Sequence, residues 1–246
     1  VLDTKNLTVK FGSLVAVNNL NMHIEENSIH ALIGPNGAGK TTVFNAIFNL
    51  VPYEGSISFL NKNLDHVPTF KRANLGLYRT FQNLNIFPSM TVEQNIEIGL
   101  HTVIKSNLLK DFLGFDAYST SEVKQKVHKV TEMLGLTGIL NAYPLFLPYG
   151  TQKLVELARV LIGDPKIILL DEPAAGLNTS EKENFKLIIQ EARKTDITIL
   201  LVEHDMGVVM DISDTVTVMD FGQKIAEGKP SEVEKNHDVI EAYLGV

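Results

Sequence analysis

Gly34-Pro-Asn-Gly-Ala-Gly-Lys-Thr41 fits the pattern G-x-x-x-x-G-K-[ST] at every position. The apolar run Ile29–Ile33 precedes it and a helix-compatible segment, Val43–Leu50, follows. The motif therefore falls where a strand turns into a helix. Glycines let the backbone wrap closely around a polyphosphate with its N–H groups pointing inward. The N-terminus of the following helix adds positive partial charge. Lys40 is expected to reach the outer phosphates and the Thr41 hydroxyl to ligate Mg²⁺. Pro35, Asn36, Gly37, Ala38, Gly39 and Thr42 complete the expected nucleotide cradle. A plain glycine-rich turn is the alternative, and the flanking strand and helix argue against it.

A second stretch, Ile167-Ile-Leu-Leu-Asp-Glu172, reads as a buried central strand with two carboxylates at its end. Ligands bind at such strand ends in open α/β sheets. Adjacent strand residues face opposite ways, so the two acids can take separate tasks. Asp171 suits support of Mg²⁺ through water. Glu172 suits orienting or deprotonating an attacking water. Alone, an apolar strand ending in Asp-Glu is equally a solvated strand end. Downstream of a phosphate-binding loop it gains meaning.

Working outward, short strands are predicted over Asn6–Lys10, Val15–Val17, Leu20–Ile24, Ile29–Ile33 and Gly55–Leu60, with a helix from Gly39 to Leu50. From Asn83 to Ile162 the spacing turns helical, over Val92–His101, Glu122–Leu134 and Gln152–Leu161. Alternation then returns: strand Ile167–Leu170, helix Ser180–Lys194, strand Ile197–Val202, helix Met206–Ile212, strand Val216–Met219 and a short helix, Val239–Leu244. This order implies parallel strands with crossover helices. The expected organisation is one α/β unit with core 1–82 and 163–246, an antiparallel layer near its start, and an inserted helical subdomain, 83–162.

The 246 residues can bury a sizeable core, and 44% hydrophobic with 21% charged residues is ordinary globular composition. A formal net charge of −7 makes the surface a poor general attractor of nucleic acid or anionic lipid. Cysteine is absent, which excludes disulfides and cysteine metal sites. No apolar stretch reaches the roughly 18 residues of a membrane helix. The start, VLDTKNLTVKFG, lacks a signal-peptide layout. A soluble, unexported protein is expected, with any membrane role supplied by partners.

Four further segments narrow the choice among phosphate-loop proteins. Gln82 sits in Arg79-Thr-Phe-Gln-Asn, at the border of the helical insertion. His204 sits in Leu201-Val-Glu-His-Asp, just past a strand. Leu147-Pro-Tyr-Gly-Thr-Gln152 opens a helix, and Ala174-Ala-Gly-Leu-Asn178 follows Glu172. In this order they resemble the Q-loop, switch histidine, signature and D-loop of ABC ATPases. That fold is a RecA-like P-loop NTPase core with an antiparallel β subdomain and an inserted helical one.

The resemblance implies that Gln82 senses Mg²⁺ and relays nucleotide state, and that His204 contacts the γ-phosphate and helps place Glu172. Gln82 and His204 thereby join Glu172 as catalytic candidates. Thr41, Gln82 and Asp171 become the metal candidates. Phe11, in Lys-Phe-Gly, resembles the aromatic on which adenine stacks, with Val17 beside it. Leu147, Pro148, Tyr149, Gly150, Thr151, Gln152 and Asn178 would meet the nucleotide of a second ATPase subunit, identical or paralogous.

Two departures stand out. The usual Leu-Ser-Gly-Gly-Gln has Pro148 for serine and Thr151 for glutamine, so a hydroxyl and one N–H donor are lost. Gly150 and the helix N-terminus remain. Asn178 stands where many members have Asp, keeping hydrogen bonding without charge. With the tail Val239-Ile-Glu-Ala-Tyr-Leu-Gly, these features are similar to the LivG-type branch, the ATPases of branched-chain amino-acid importers. The partners implied are integral-membrane permease subunits and, indirectly, an extracytoplasmic substrate-binding protein, with no nucleic acid. The place implied is peripheral, on the cytoplasmic face of the cell membrane. The apolar residues of Asn83–Thr91 would border the groove that receives the permease.

The rivals are a related urea or amide importer ATPase, a non-transport ABC ATPase, and a phosphate-loop kinase or GTPase. Coiled-coil and basic segments of the second are missing. The third would need neither signature nor switch histidine, and Asn61-Lys-Asn-Leu-Asp65 has the wrong spacing for guanine recognition.

Overall fold

The run Ile167–Leu170 forms strand β7 (Ile167–Asp171) of the computed structural model, which describes residues 1–82, 84–102 and 120–244. Ile167 and Leu169 pack with Leu32, Phe44 and Leu200 on one face. Ile168 and Leu170 pack with Val155, Ile189, Ile199 and Leu201 on the other. A strand covered on both sides needs apolar residues at every position, which is why the run shows no alternation.

The main sheet has the order β10-β9-β3-β8-β7-β6. In it β6 (Leu77–Arg79), β7, β8 (Thr198–Val202), β3 (Ile29–Ile33) and β9 (Thr215–Asp220) run parallel, and β10 (Gln223–Gly228) is antiparallel at the edge. Val202 pairs with Leu32 on one side and Asp171 on the other. The carboxyl ends of β3, β7 and β8 are thus level, and the chain leaves all three into one crevice.

A second, antiparallel sheet has the order β2-β1-β4-β5, from β1 (Leu2–Phe11), β2 (Leu14–Ile24), β4 (Glu54–Phe59) and β5 (Lys62–Asn63). Its inner residues Leu7, Val9, Leu20, Ile24, Ile57 and Phe59 join Val43, Phe44 and Ile47 of helix α1 (Lys40–Ile47). The two strands expected at Val15–Val17 and Leu20–Ile24 are one strand. The polar interruption is absorbed by a register shift, with Asn19 at φ 51, a conformation asparagine tolerates.

Arg72, on the short helix α2 (Thr69–Arg72), is fully buried. Its guanidinium donates to the carbonyls of Ile47, Leu64 and Val67, closing the C-terminal end of α1 where a cation is favoured.

Among the described residues, the middle of the chain contributes the helices α3 (Val92–Glu97), α4 (Thr120–Met133) and α5 (Tyr149–Leu161). The helix expected over Val92–His101 is α-helical to Glu97 and tightens to a 3₁₀ turn over Ile98–Thr102. Later come α6 (Thr179–Arg193), α7 (Met206–Ile212), α8 (Pro230–Val233) and α9 (His237–Leu244). The sequence predicts no strand at β5, β6 or β10. Three residues are too few to show a period, and β10 is half-buried rather than alternating. Asn83 and Gly245, named in the sequence reading, lie outside the described residues. Among the described residues no helix is long and apolar enough to cross a membrane.

Candidate functional site: a phosphate loop facing two carboxylates

The loop Gly34–Gly39 leaves β3 and enters α1. Gly34 has φ 148, and a Cβ there would lie 2.0 Å from the Met219 carbonyl oxygen of β9. Gly39 has φ 101, and its Cβ would lie 2.4 Å from the Ala16 oxygen of β2. Side chains at these two positions are excluded by both space and backbone conformation. The loop is also tied down, since Gly222 N–H donates to Ala38 O at 3.1 Å and Asn18 N–H to Gly222 O at 2.8 Å. Both sheets therefore hold it. Lys40 is nearly buried and crosses the loop, donating through Nζ to Gly34 O at 2.7 Å and Pro35 O at 2.9 Å. Burial lowers its pKa, against the pull of Glu172 and Asp171. Thr41, on the first turn of α1, is exposed, and Asn36 and Gly37 face solvent.

Glu172 sits at the exit of β7, its N–H donating to Val202 O at 2.8 Å. Its φ of 49 is left-handed, which costs a non-glycine residue about 1–2 kcal/mol. The carboxylate is held at both oxygens. His204 donates through Nε2 to Oε1 at 2.9 Å, and Gln82 through Nε2 to Oε2 at 3.0 Å. The three catalytic candidates, from three separate strand exits, thus meet at one carboxylate.

Asp171 is almost wholly buried, and its Oδ2 accepts from Arg79 Nη2 at 2.7 Å. Arg79 also donates through Nη1 to Asn45 Oδ1 of α1 at 2.7 Å and lies between the rings of Phe44 and Phe81. Within Arg79-Thr-Phe-Gln-Asn no sequence motif singles out Arg79. A lone arginine on a three-residue strand carries no pattern.

The proposed metal set fits these surroundings. Thr41 offers a hydroxyl. Gln82 spends its NH₂ on Glu172, which leaves its amide oxygen. Asp171 has one oxygen beyond the Arg79 bond. Such hard oxygen donors suit Mg²⁺.

The remaining site candidates fall elsewhere. Phe11 ends β1 with its ring half exposed, as a stacking platform requires. Val17 is fully buried and packs under Gly39. β2 turns it inward, so that it forms a floor beneath the loop. Leu147–Gln152 stands at the start of α5, with Pro148 as N-cap. Gly150 packs on α6, where a Cβ would lie 2.5 Å from Glu181 Oε1. Gln152 turns back onto Leu147 O at 2.9 Å. Asn178 is the N-cap of α6 in a reciprocal capping box with Glu181. Of the apolar residues after Gln82, Phe87 and Met90 are exposed, while Leu84 and Ile86 are half-buried.

Known proteins resemble this chain along its whole length. The ABC transporter family profile matches residues 17–175, and a profile described as branched-chain amino acid ATP-binding cassette transporter matches residues 223–246. The chain is 40% identical over 250 residues to the high-affinity branched-chain amino acid transport ATP-binding protein BraF of Pseudomonas aeruginosa, covering 100% of this chain and 98% of the relative. It is 41% identical over 249 residues to LivG of Salmonella typhimurium, with the same coverage. Among solved structures, a nucleotide-free ATP-binding cassette from an ABC transporter superposes with a TM-score of 0.86 at 31% identity, covering 100% of this chain and 99% of that one. The ADP conformation of an ATP-binding cassette of an ABC transporter gives the same values. The chain belongs to the ABC transporter family, as an ATP-hydrolysing, nucleotide-binding subunit.

Proposed function

We propose that the chain drives import of branched-chain amino acids, as one of two ATPase subunits on the cytoplasmic face of a membrane-embedded permease. The solute assignment draws on the match of residues 223–246 and on the names of the full-length relatives. No residue of this chain would touch the amino acid. The exposed Phe87 and Met90 are the surface offered to the permease.

The observation that carries the catalytic reading is Glu172, gripped at both oxygens beside the phosphate loop. ATP lies along Gly34–Thr42, with the loop N–H groups and Lys40 on its phosphates and Phe11 under its base. Glu172 orients a water and accepts its proton as that oxygen bonds to the γ-phosphorus and the bond to ADP breaks. His204 and Gln82 hold the carboxylate in line. Bound Mg²⁺, supported by Thr41, Gln82 and Asp171, would neutralise charge on the phosphates.

The test is Glu172→Gln. The amide keeps the shape but is a far weaker base. Turnover should collapse while ATP affinity stays near that of the parent, and an ATP-dependent dimer should persist in gel filtration, alone or with a partner ATPase. Parent-rate hydrolysis in the assembled transporter would remove the assignment. The solute is tested by copurifying the permease and binding protein and asking whether leucine, isoleucine or valine, but not urea, stimulates ATP hydrolysis.

A further inference from the structure

Two charged residues outside the site described so far converge on the loop that follows Glu172. Lys153, one turn into α5, donates through Nζ to three carbonyls: Glu172 O at 3.1 Å, Pro173 O at 2.9 Å and Ala175 O at 2.8 Å. An ammonium has three donors, so this set uses all of them. The Tyr149 ring covers the same ammonium at 5.3 Å. Burial lowers the Lys153 pKa, against the pull of Glu203, Glu156 and Glu172.

From the other side comes Glu203, at the exit of β8 and only 2% exposed. Its Oε1 accepts from Ala174 N–H at 2.6 Å. Its Oε2 accepts from the N–H groups of His204 at 2.9 Å and Asp205 at 3.3 Å. One carboxylate therefore joins the loop that carries Glu172 to the loop that carries His204.

We propose that Lys153 and Glu203 are positioning residues that grip the Glu172–Ala175 loop between them and so hold Glu172 in register with His204. The charges match the peptide groups they meet: the cation takes carbonyls and the anion takes N–H groups, the stronger class of hydrogen bond. A grip is needed there because Glu172 has a left-handed backbone, which persists only when its surroundings impose it. Lys153 lies on the helix that begins with the signature, so within one chain the signature helix is fastened to the acid that faces the phosphate loop. Neither residue touches the reacting atoms.

The inference rests on Glu172 acting as the base, so the experiment reads the grip and the chemistry separately. Lys153→Met, Lys153→Arg, Glu203→Gln and the double variant Lys153→Met/Glu203→Gln are made in the full chain, with Glu172→Gln as control. Glu203→Gln must turn an NH₂ toward one of its N–H partners, so it loses one side of the clasp. For Lys153→Met and Glu203→Gln, kcat should fall at least about tenfold while KM stays within about twofold. Amide hydrogen exchange at Glu172 and Ala174 should quicken by a similar factor. Lys153→Arg, which keeps a multi-donor cation, should recover most of the rate. The double variant should be little worse than the poorer single, because both act through one loop.

Parent kcat in folded Lys153→Met or Glu203→Gln would overturn the proposal, as would a loss of kcat without faster exchange at the loop. If Lys153→Met does not fold, Glu203→Gln and Lys153→Arg decide by the same criteria. If Glu172→Gln turns over at the parent rate, the base assignment fails, while the exchange data still test the grip.

Discussion

Arg79 and Asp171 form an ion pair of 2.7 Å, with side chains only 5% and 3% exposed. They are 92 residues apart and lie on neighbouring strands β6 and β7, where the register partner of Arg79 is Leu169. A buried pair is poor evidence of net stabilisation, but breaking one by removing a single partner leaves an uncompensated charge. Arg79→Met should therefore destabilise the chain by about 3–5 kcal/mol. Arg79→Met/Asp171→Asn should recover much of that loss, since the stranded carboxylate is gone. Urea unfolding of the two variants and of Asp171→Asn closes the double-mutant cycle. Additive losses would show that the pair is not coupled.

Lys40 contributes the cation of the phosphate loop and is nearly buried. Lys40→Ala should weaken ATP binding by at least about 1.5–3 kcal/mol, the scale of a hydrogen bond to a charged group. Isothermal titration reads this directly. Near-parent affinity would remove Lys40 from the phosphate contacts.

Phe11 is half exposed at the end of β1, so truncating it removes little core packing. Phe11→Ala should weaken ATP binding by about 1–3 kcal/mol with a nearly unchanged melting temperature. Stacking tolerates either purine, so the parent should also accept GTP in part. A drop in stability with unchanged ATP affinity would mark Phe11 as a packing residue instead.

Asn178 caps α6, its side chain accepting from Glu181 N–H at 3.0 Å. Asn178→Ala should cost about 1 kcal/mol of stability in denaturant unfolding. Binding of ATP to the isolated chain should be unchanged, because the cap stands on the signature side. Altered binding with unchanged stability would reverse this order of roles.

His30 is buried in β3 against Thr217 Oγ1 at 2.8 Å, and burial lowers its pKa to about 4. Here the folded value lies below the unfolded one. Between about pH 6.5 and 4 the unfolded chain binds a proton that the folded chain refuses, so stability falls as pH falls through that window. The loss approaches about 3 kcal/mol, at 1.36 kcal/mol per unit. His30→Gln should flatten this part of the pH–stability curve, even if it lowers stability at neutral pH. An unchanged slope would show that His30 does not set it.

The local motifs were legible from residues alone because each is a short run at a strand end. Gly34–Thr41 needs glycine wherever its backbone takes positive φ, at Gly34, Gly37 and Gly39, and Ile167–Glu172 announces a strand buried on both faces. The helical spacing of Glu122–Leu134 and Gln152–Leu161 was legible for the same reason, since one helix face repeats every turn. What decided the site lies in pairings with no local pattern. Strand register sets Val202 between Leu32 and Asp171, and that brings the phosphate loop, Glu172 and His204 to one level. Three-residue β6 carries Arg79 to Asp171, and α5 carries Lys153 to the carbonyls after Glu172. Val17 reads like any apolar strand residue, and only the packing of two sheets puts it beneath Gly39. By itself the sequence determined a phosphate-binding loop and a buried strand ending in two carboxylates, through backbone conformations and apolar runs that short segments impose on themselves. The tertiary structure alone decided which side chains hold that chemistry in place, because hydrogen bonds and ion pairs between distant residues exist only once the strands have paired.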